Sequence, residues 1–206
     1  MSETRHGRFI VLEGGEGAGK TTLAKSLAER LRESGRDVVL TREPGDTPAG
    51  EQVRELLHLE LAPWAEVFAF LVARAQLVTT VIGPALARGA VVICDRFEAS
   101  TFAYQGWGRG LDLDELERVN RLATGGLEPD LVLFLDLPPQ VGLARKTDEA
   151  EALQTGKEER AFHERVRAGY LALMENAPAG RWARIDGTQA PEAVADDAWG
   201  AVKAVV

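Results

Sequence analysis

The 206-residue sequence predicts an α/β protein of three layers, with a parallel sheet between helices. Short apolar runs alternate with longer segments of helical spacing along the whole chain. Each apolar run is continuous and does not alternate with polar residues. Continuous runs are typical of strands covered on both faces. Because no repeat or low-complexity tract interrupts this order, residues 1–206 are predicted to form a single domain.

Four runs rich in β-branched or large apolar residues are the predicted strands. They span residues 9–12, 38–40, 91–94 and 131–135, and a weaker fifth candidate spans 182–185. The third run ends at the one cysteine of the chain, Cys94, which we expect to be a small core residue. The pattern does not give the order of the strands.

The segments between these runs carry residues typical of helix ends. Residues 19–34 stop at Gly35, which suits a helix C-terminus, and residues 48–59 and 63–87 both begin with proline, which suits a first turn. Residues 112–123 begin with acidic side chains, which favour the positive end of a helix. Further helices are predicted over residues 138–145, 158–176 and 191–205.

The composition of the chain excludes several classes of protein. Hydrophobic residues make up 45% and charged residues 27% of the chain, as in a soluble globular protein. The net charge of −8 argues against a basic face for nucleic acid. The polar first eight residues are unlike a signal peptide, and Arg74 and Gln76 interrupt the apolar segment 67–87. We therefore expect a cytoplasmic protein without a membrane span, in which that segment is buried or forms a dimer.

Residues 14–21, GGEGAGKT, match the phosphate-binding motif G-x-x-x-x-G-K-[ST] between the first predicted strand and helix. The glycines let the backbone curl around an anion, and amide groups then point at the phosphates. Lys20 is expected to reach the β- and γ-phosphates of ATP, and the Thr21 hydroxyl to ligate Mg²⁺. The predicted nucleotide-binding residues are Gly14, Gly15, Glu16, Gly17, Ala18, Gly19, Lys20, Thr21 and Thr22.

Glu16 is unusual in such a loop, because a carboxylate among the phosphates would repel them. It is expected to face away from ATP and to accept a hydrogen bond from a hydroxyl of a second substrate. The alternative is a solvated loop carboxylate.

The sequence lacks the Asn-Lys-x-Asp motif of GTPases and is short for a motor or helicase, which favours a kinase of a small acceptor. Such a kinase needs further cations beside the phosphates. Arg42 follows the second predicted strand and Asp95-Arg96 the third, where open α/β sheets bind ligands. Arginine suits bidentate phosphate contact, although a single arginine at a strand end is often structural.

Five blocks occur in one order along the chain: FIVLEGGEGAGKTT (9–22), TREPG (41–45), AEVFAFLVARAQ (65–76), DRFEASTFAYQG (95–106) and IDGTQAPEAV (185–194). In these blocks the chain resembles bacterial thymidylate kinases. The resemblance implies a P-loop kinase fold with a five-stranded parallel sheet and helices on both faces. It also implies a homodimer that uses MgATP to phosphorylate dTMP.

The resemblance implies that Arg42 and Arg96 would hold the acceptor phosphate and that Pro44 would line the site. Glu16 would bind the 3′-hydroxyl of dTMP. Asp95 would help to place Mg²⁺ through water. Catalytic roles would fall to Lys20, Arg96, Asp95 and Arg145.

For the nucleoside, the resemblance implies that Phe70 would stack on thymine and that Arg74 would donate to its carbonyl. These two side chains are four residues apart and share one helix face, although that spacing alone favours a core phenylalanine beside an arginine. Tyr104 would crowd the 2′ position of the sugar. The further nucleoside contacts would be Ser100, Thr101 and Gln105.

The chain departs from the family pattern at two places. Asp46 stands where a second glycine commonly follows Arg-Glu-Pro-Gly, and either faces solvent or retunes acceptor binding. Residues 145–160 are highly charged and are either a mobile lid or a solvated helix end. The family's Asp-Arg-x-Glu block is missing there, so the basic candidates for the lid are Arg145, Lys146, Lys157 and Arg160.

Three other functions are open at this point. The chain could be a P-loop kinase of another nucleoside monophosphate, or an ATP-binding regulator without catalysis. The third is an assembly module built on the apolar helix pair.

Overall fold

The computed structural model describes residues 7–146 and 157–206. Within them, five parallel strands form one sheet in the order β2-β3-β1-β4-β5. The predicted five-stranded parallel sheet is confirmed, including its weaker fifth strand. The strands are β1 (Arg8–Gly14), β2 (Val38–Arg42), β3 (Val91–Asp95), β4 (Leu131–Asp136) and β5 (Trp182–Asp186).

The position of each strand explains its composition. β1, β3 and β4 lie inside the sheet and are buried along almost their whole length, which is why they read as unbroken apolar runs. β2 and β5 form the edges and are half-exposed. The fifth strand is therefore the hardest to recognise, since Arg184 and Trp182 tolerate partial exposure there.

Helices cover both faces of the sheet, which confirms the predicted three layers. One apolar core joins a face of the sheet to α1 and α9, and a second joins the other face to α3 and α4. The helices are α1 (Lys20–Glu33), α2 (Pro48–Leu56), α3 (Pro63–Leu77), α4 (Gly83–Ala87), α5 (Glu98–Thr101), α6 (Leu113–Thr124), α7 (Pro139–Lys146), α8 (Lys157–Glu175) and α9 (Pro191–Lys203).

The π-helical turn Val78–Ile82 joins α3 and α4 into one helix of 25 residues. By length and composition alone this helix is apolar enough to cross a membrane. However, Arg74 in its middle is buried in an ion pair with Glu43, and the helix packs against α2 and α6. One face of this helix is therefore packed inside the domain.

A helix over residues 98–108, which the sequence pattern does not predict, follows β3: α5 continues as the π-helical segment Phe102–Gly108. Its glycines and aromatic residues are poor helix formers, so tertiary packing stabilises it. Gly108 lies directly against Phe162 of α8, where a side chain would not fit. Residues 147–156 of the predicted lid lie outside the described residues, so the lid stays a prediction.

Candidate active site

A cavity of about 720 Å³ opens at the carboxyl ends of β1, β2 and β3. Strand register brings these ends together, because Asp95 pairs with Leu12 on one side and with Arg42 on the other. All the predicted site residues except Gly14 and Gly15 line it. They are Glu16, Gly17, Ala18, Gly19, Lys20, Thr21, Thr22, Arg42, Pro44, Phe70, Arg74, Asp95, Arg96, Ser100, Thr101, Tyr104, Gln105 and Arg145.

The phosphate loop has the backbone conformation that its glycines allow. Gly17 and Gly19 have φ angles of 66° and 87°, in the left-handed region that suits glycine. A Cβ atom on Gly17 would overlap the carbonyl oxygen of Gly142 in α7. The loop therefore lies directly against α7, with its amide groups at the N-terminus of α1.

Lys20 lies inside this loop and is almost completely buried. Its Nζ donates to the carbonyl oxygens of Gly14 (3.1 Å) and Gly15 (2.8 Å). Burial, together with the positive charge of Arg96, lowers the pKa of Lys20 to about 7. An anion bound in the loop would restore the charged form.

Thr21 and Asp95 meet at the edge of the loop, where the Thr21 hydroxyl donates to Asp95 Oδ2 at 2.5 Å. Hydroxyl and carboxylate oxygens are the hard donors that Mg²⁺ prefers. The described residues contain no group of three or more His, Cys, Asp or Glu side chains that could hold a metal alone. The pair fits Mg²⁺ bound mainly through substrate phosphates and water.

Arg96 has a φ of 72°, which is uncommon for a residue with a side chain. Its amide donates to Leu12 O, and its guanidinium donates to Glu16 Oε1 (2.8 Å) and Ser100 Oγ (3.1 Å). Glu16 also accepts from the Tyr104 hydroxyl at 3.1 Å. Glu16 is thus held beside Arg96 and Tyr104.

Glu13, which sequence reasoning missed, is a fully buried carboxylate beneath Arg96. It accepts hydrogen bonds from the Phe97 amide (2.9 Å), the Ser100 hydroxyl (2.6 Å) and the Tyr170 hydroxyl (3.0 Å). Burial raises the pKa of Glu13, and these donors oppose the rise. The carboxylate fixes the start of α5 and so the backbone that carries Arg96.

At the opposite end of the cavity, α3 presents Glu66, Phe70 and Arg74 at intervals of four residues. Gln105 Nε2 donates to Glu66 Oε1 at 3.1 Å. Glu66 was also missed from the sequence, although its spacing from Phe70 and Arg74 places it on the same helix face. The three side chains line one wall of the cavity.

Arg74 is buried, and each of its three guanidinium nitrogens donates at least one hydrogen bond. Its Nε donates to Glu43 Oε2 at 2.8 Å, and its Nη2 forms an ion pair with the same oxygen at 2.7 Å. Nη1 donates to Thr101 Oγ1 (3.0 Å) and Asn120 Oδ1 (2.8 Å), and Nη2 donates to Phe97 O (3.0 Å). Arg74 therefore organises this wall, and a bond to a ligand would replace one of these bonds.

Arg145, at the start of the predicted lid, donates from Nη1 to Gly187 O at 3.1 Å. Gly187 lies in the loop between β5 and α9, within the block IDGTQAPEAV. This bond connects the end of α7 to that block, beside the cavity that Arg145 lines. Arg160 is exposed in α8.

Known proteins are similar to this chain in sequence along most of its length. The sequence profile described as "Thymidylate kinase" matches residues 12–198. A thymidylate kinase of Thermomicrobium roseum is 50% identical over 201 residues, which cover 96% of this chain and 95% of the relative. One of Geobacter sulfurreducens is 49% identical over 199 residues (92% and 93%), and one of Pseudomonas putida GB-1 is 50% identical over 195 residues (93% and 92%). Since profile and relatives match nearly the whole length, the chain belongs to the thymidylate kinase family.

Proposed function

We propose that this chain transfers the γ-phosphoryl group of ATP to dTMP, giving ADP and dTDP. The observation that carries the proposal is one continuous cavity, with a phosphate loop at one end and a wall built on Phe70 at the other. Membership of the thymidylate kinase family supports dTMP as the acceptor.

ATP binds along the phosphate loop, where backbone amides and the N-terminus of α1 face its phosphates. Lys20 leaves the carbonyl oxygens of Gly14 and Gly15 and donates to the phosphates instead. Thr21 and Asp95 would hold Mg²⁺, which would neutralise negative charge on the phosphate oxygens. Arg145, bonded to Gly187, closes the rim on the nucleotide side.

The acceptor phosphate lies between Arg42 and Arg96, next to Pro44, where guanidinium groups make bidentate contacts. Glu16 and Tyr104 face the sugar, Glu16 as an acceptor for its 3′-hydroxyl and Tyr104 as a barrier to a 2′-hydroxyl. Phe70 stacks on thymine. The remaining contacts to the nucleoside come from Arg74, Ser100, Thr101 and Gln105.

The reaction is an in-line transfer in which the protein supplies positioning and positive charge. Lys20 and Arg96 stabilise the charge that spreads over the transferred group. A strong general base is unnecessary, since the acceptor oxygen is already ionised at neutral pH. We propose that residues 145–160 close over the site and exclude water.

The same proposal extends to the setting of the enzyme. The chain acts as a homodimer in the cytoplasm, without nucleic-acid or membrane partners. The acidic net charge of −8 argues against a nucleic-acid partner, and the buried ion pair in the apolar helix argues against a membrane span.

A coupled assay of ADP release with dTMP, CMP, AMP and UMP tests the function. We expect dTMP to give the highest kcat/KM. Lys20→Ala should abolish transfer while the fold is retained, and Lys25→Ala, which removes an exposed lysine from the same helix, should leave it intact. Preference for another acceptor would indicate a different monophosphate kinase. ATP binding without acceptor-dependent ADP release would indicate a regulator.

A further inference from the structure

The turn that follows β2 carries an acidic side chain in a fixed position. Asp46 has a φ of 56°, and its Oδ2 accepts from the Thr41 hydroxyl (3.0 Å) and the Arg42 amide (2.9 Å). Two bonds to the end of one strand leave this carboxylate little freedom to turn away. Its position is therefore set before any ligand binds.

The other oxygen of this carboxylate faces the side chain of Arg42. Asp46 Oδ1 lies 3.5 Å from Arg42 Nε, and Glu51 Oε1 lies 3.8 Å from Arg42 Nη2. Among the described residues, the Arg42 guanidinium has these two ion pairs and no hydrogen bond. The N–H groups of Arg42 are therefore available to a ligand, whereas those of Arg74 already donate hydrogen bonds within the protein.

We propose that Asp46 competes for the guanidinium of Arg42 and so lowers the affinity of the cavity for the acceptor phosphate. The inference rests on the proposed function, in which Arg42 binds that phosphate. A dianionic phosphate must share Arg42 with a carboxylate that is already in contact and that repels the incoming charge. Asp46 thereby sets the concentration at which the acceptor site fills.

Asp46, rather than Glu51, carries this effect. Asp46 is closer to Arg42 and is anchored to the backbone of the same residue, so it loses no rotamer freedom when it pairs. Glu51 Oε1 lies farther away and also accepts from the Asp46 amide at 3.2 Å. Glu51 therefore supports the turn as well as facing the guanidinium.

The test is the variant Asp46→Asn, assayed for dTMP and ATP in the ADP-release assay. Asparagine keeps an oxygen for the bonds from Thr41 and Arg42 and tolerates a positive φ, but removes the charge. We expect the KM for dTMP to fall about three- to tenfold, with kcat and the KM for ATP unchanged. The gain should shrink as salt is raised, because the guanidinium is half-exposed.

Two further variants separate charge from structure. Asp37→Asn removes a more exposed carboxylate just before the other end of β2, where it pairs with Arg88, and should leave the KM for dTMP unchanged. Asp46→Gly suits the same φ and removes the whole side chain, and it should also lower that KM. An unchanged or higher KM for dTMP in Asp46→Asn would overturn the role of Asp46, and so would an equal fall in Asp37→Asn. In either case, dTMP turnover by the unaltered chain would still uphold the proposed function. If the unaltered chain did not turn over dTMP, the proposed function and the role of Asp46 would both be wrong.

Discussion

At the scale of single residues, the site depends on charges held out of water. Lys20 is buried with a pKa of about 7, so at pH 8 most of it is uncharged in the free protein. A bound triphosphate favours the ammonium form and raises that pKa again. Above pH 7, most of the free protein therefore holds Lys20 uncharged, and ATP binding would convert it to the cation.

This linkage predicts proton uptake on ATP binding. At pH 8, titration calorimetry in buffers of different ionisation enthalpy should show uptake of up to about 0.9 proton per ATP. At pH 6 the uptake should nearly vanish, because Lys20 is already charged there. Lys20→Met should remove the difference between the two pH values. Equal proton uptake by this variant would show that another group titrates.

Phe70 permits a second prediction at this scale. If its ring stacks on thymine, Phe70→Ala should weaken dTMP binding about five- to hundredfold and leave ATP binding nearly unchanged. Leu122→Ala truncates an exposed apolar side chain of α6, outside both α3 and the cavity, and serves as the control. Equal losses for both nucleotides in direct binding measurements would contradict the stacking role.

At the scale of elements, backbone atoms of the phosphate loop and of α7 lie in direct contact. A Cβ atom on Gly142 would overlap the carbonyl oxygen of Glu16. Gly142→Ala should push α7 away from the loop, lowering the free energy of unfolding by about 1–3 kcal/mol and weakening ATP binding. Urea unfolding and ATP titration measure the two effects.

Gly200→Ala is the matched control, since a Cβ there in α9 meets nothing within 4 Å. It should stabilise the protein by about 0.5–1 kcal/mol, because alanine favours the helix. If Gly142→Ala behaved in the same way, the contact between α7 and the loop would have no energetic weight.

The elements also show how far the sequence predicts the structure. Apolar runs located every strand but ended too early, because polar residues such as Glu13, Arg42 and Asp95 occupy the last positions of the strands. These polar ends are where the cavity opens. The helix after β3 was missed because its stability comes from packing against α8, which propensity does not contain.

Some residues of the site could be predicted from the sequence and others could not. Residues in local motifs, such as the phosphate loop, were predictable because each motif encodes its own geometry. Tyr170 lies 157 positions from Glu13, and Arg74 lies 31 from Glu43, so their pairing follows only from the strand order. The apolar pattern does not give that order.

At the scale of the whole molecule, one helix links the site to the surface. Phe70 and Arg74 face the cavity, whereas Phe68 and Val72 on the same helix are 54% and 55% exposed. Only 39% of the most apolar part of this helix is buried within the chain. A second copy of the chain would cover the remainder, which supports the proposed homodimer.

This arrangement predicts that assembly and acceptor binding are coupled. Val72→Glu places a charge in the exposed apolar stripe and should give the mass of one chain in sedimentation equilibrium, where the unaltered protein gives two. Leu59→Glu alters an equally exposed apolar residue outside α3 and should leave the dimer intact. The helix that loses its partner also positions Phe70 and Arg74. The monomer should therefore lose more affinity for dTMP than for ATP. A monomeric unaltered protein, or a Val72→Glu dimer, would show that the stripe has another role.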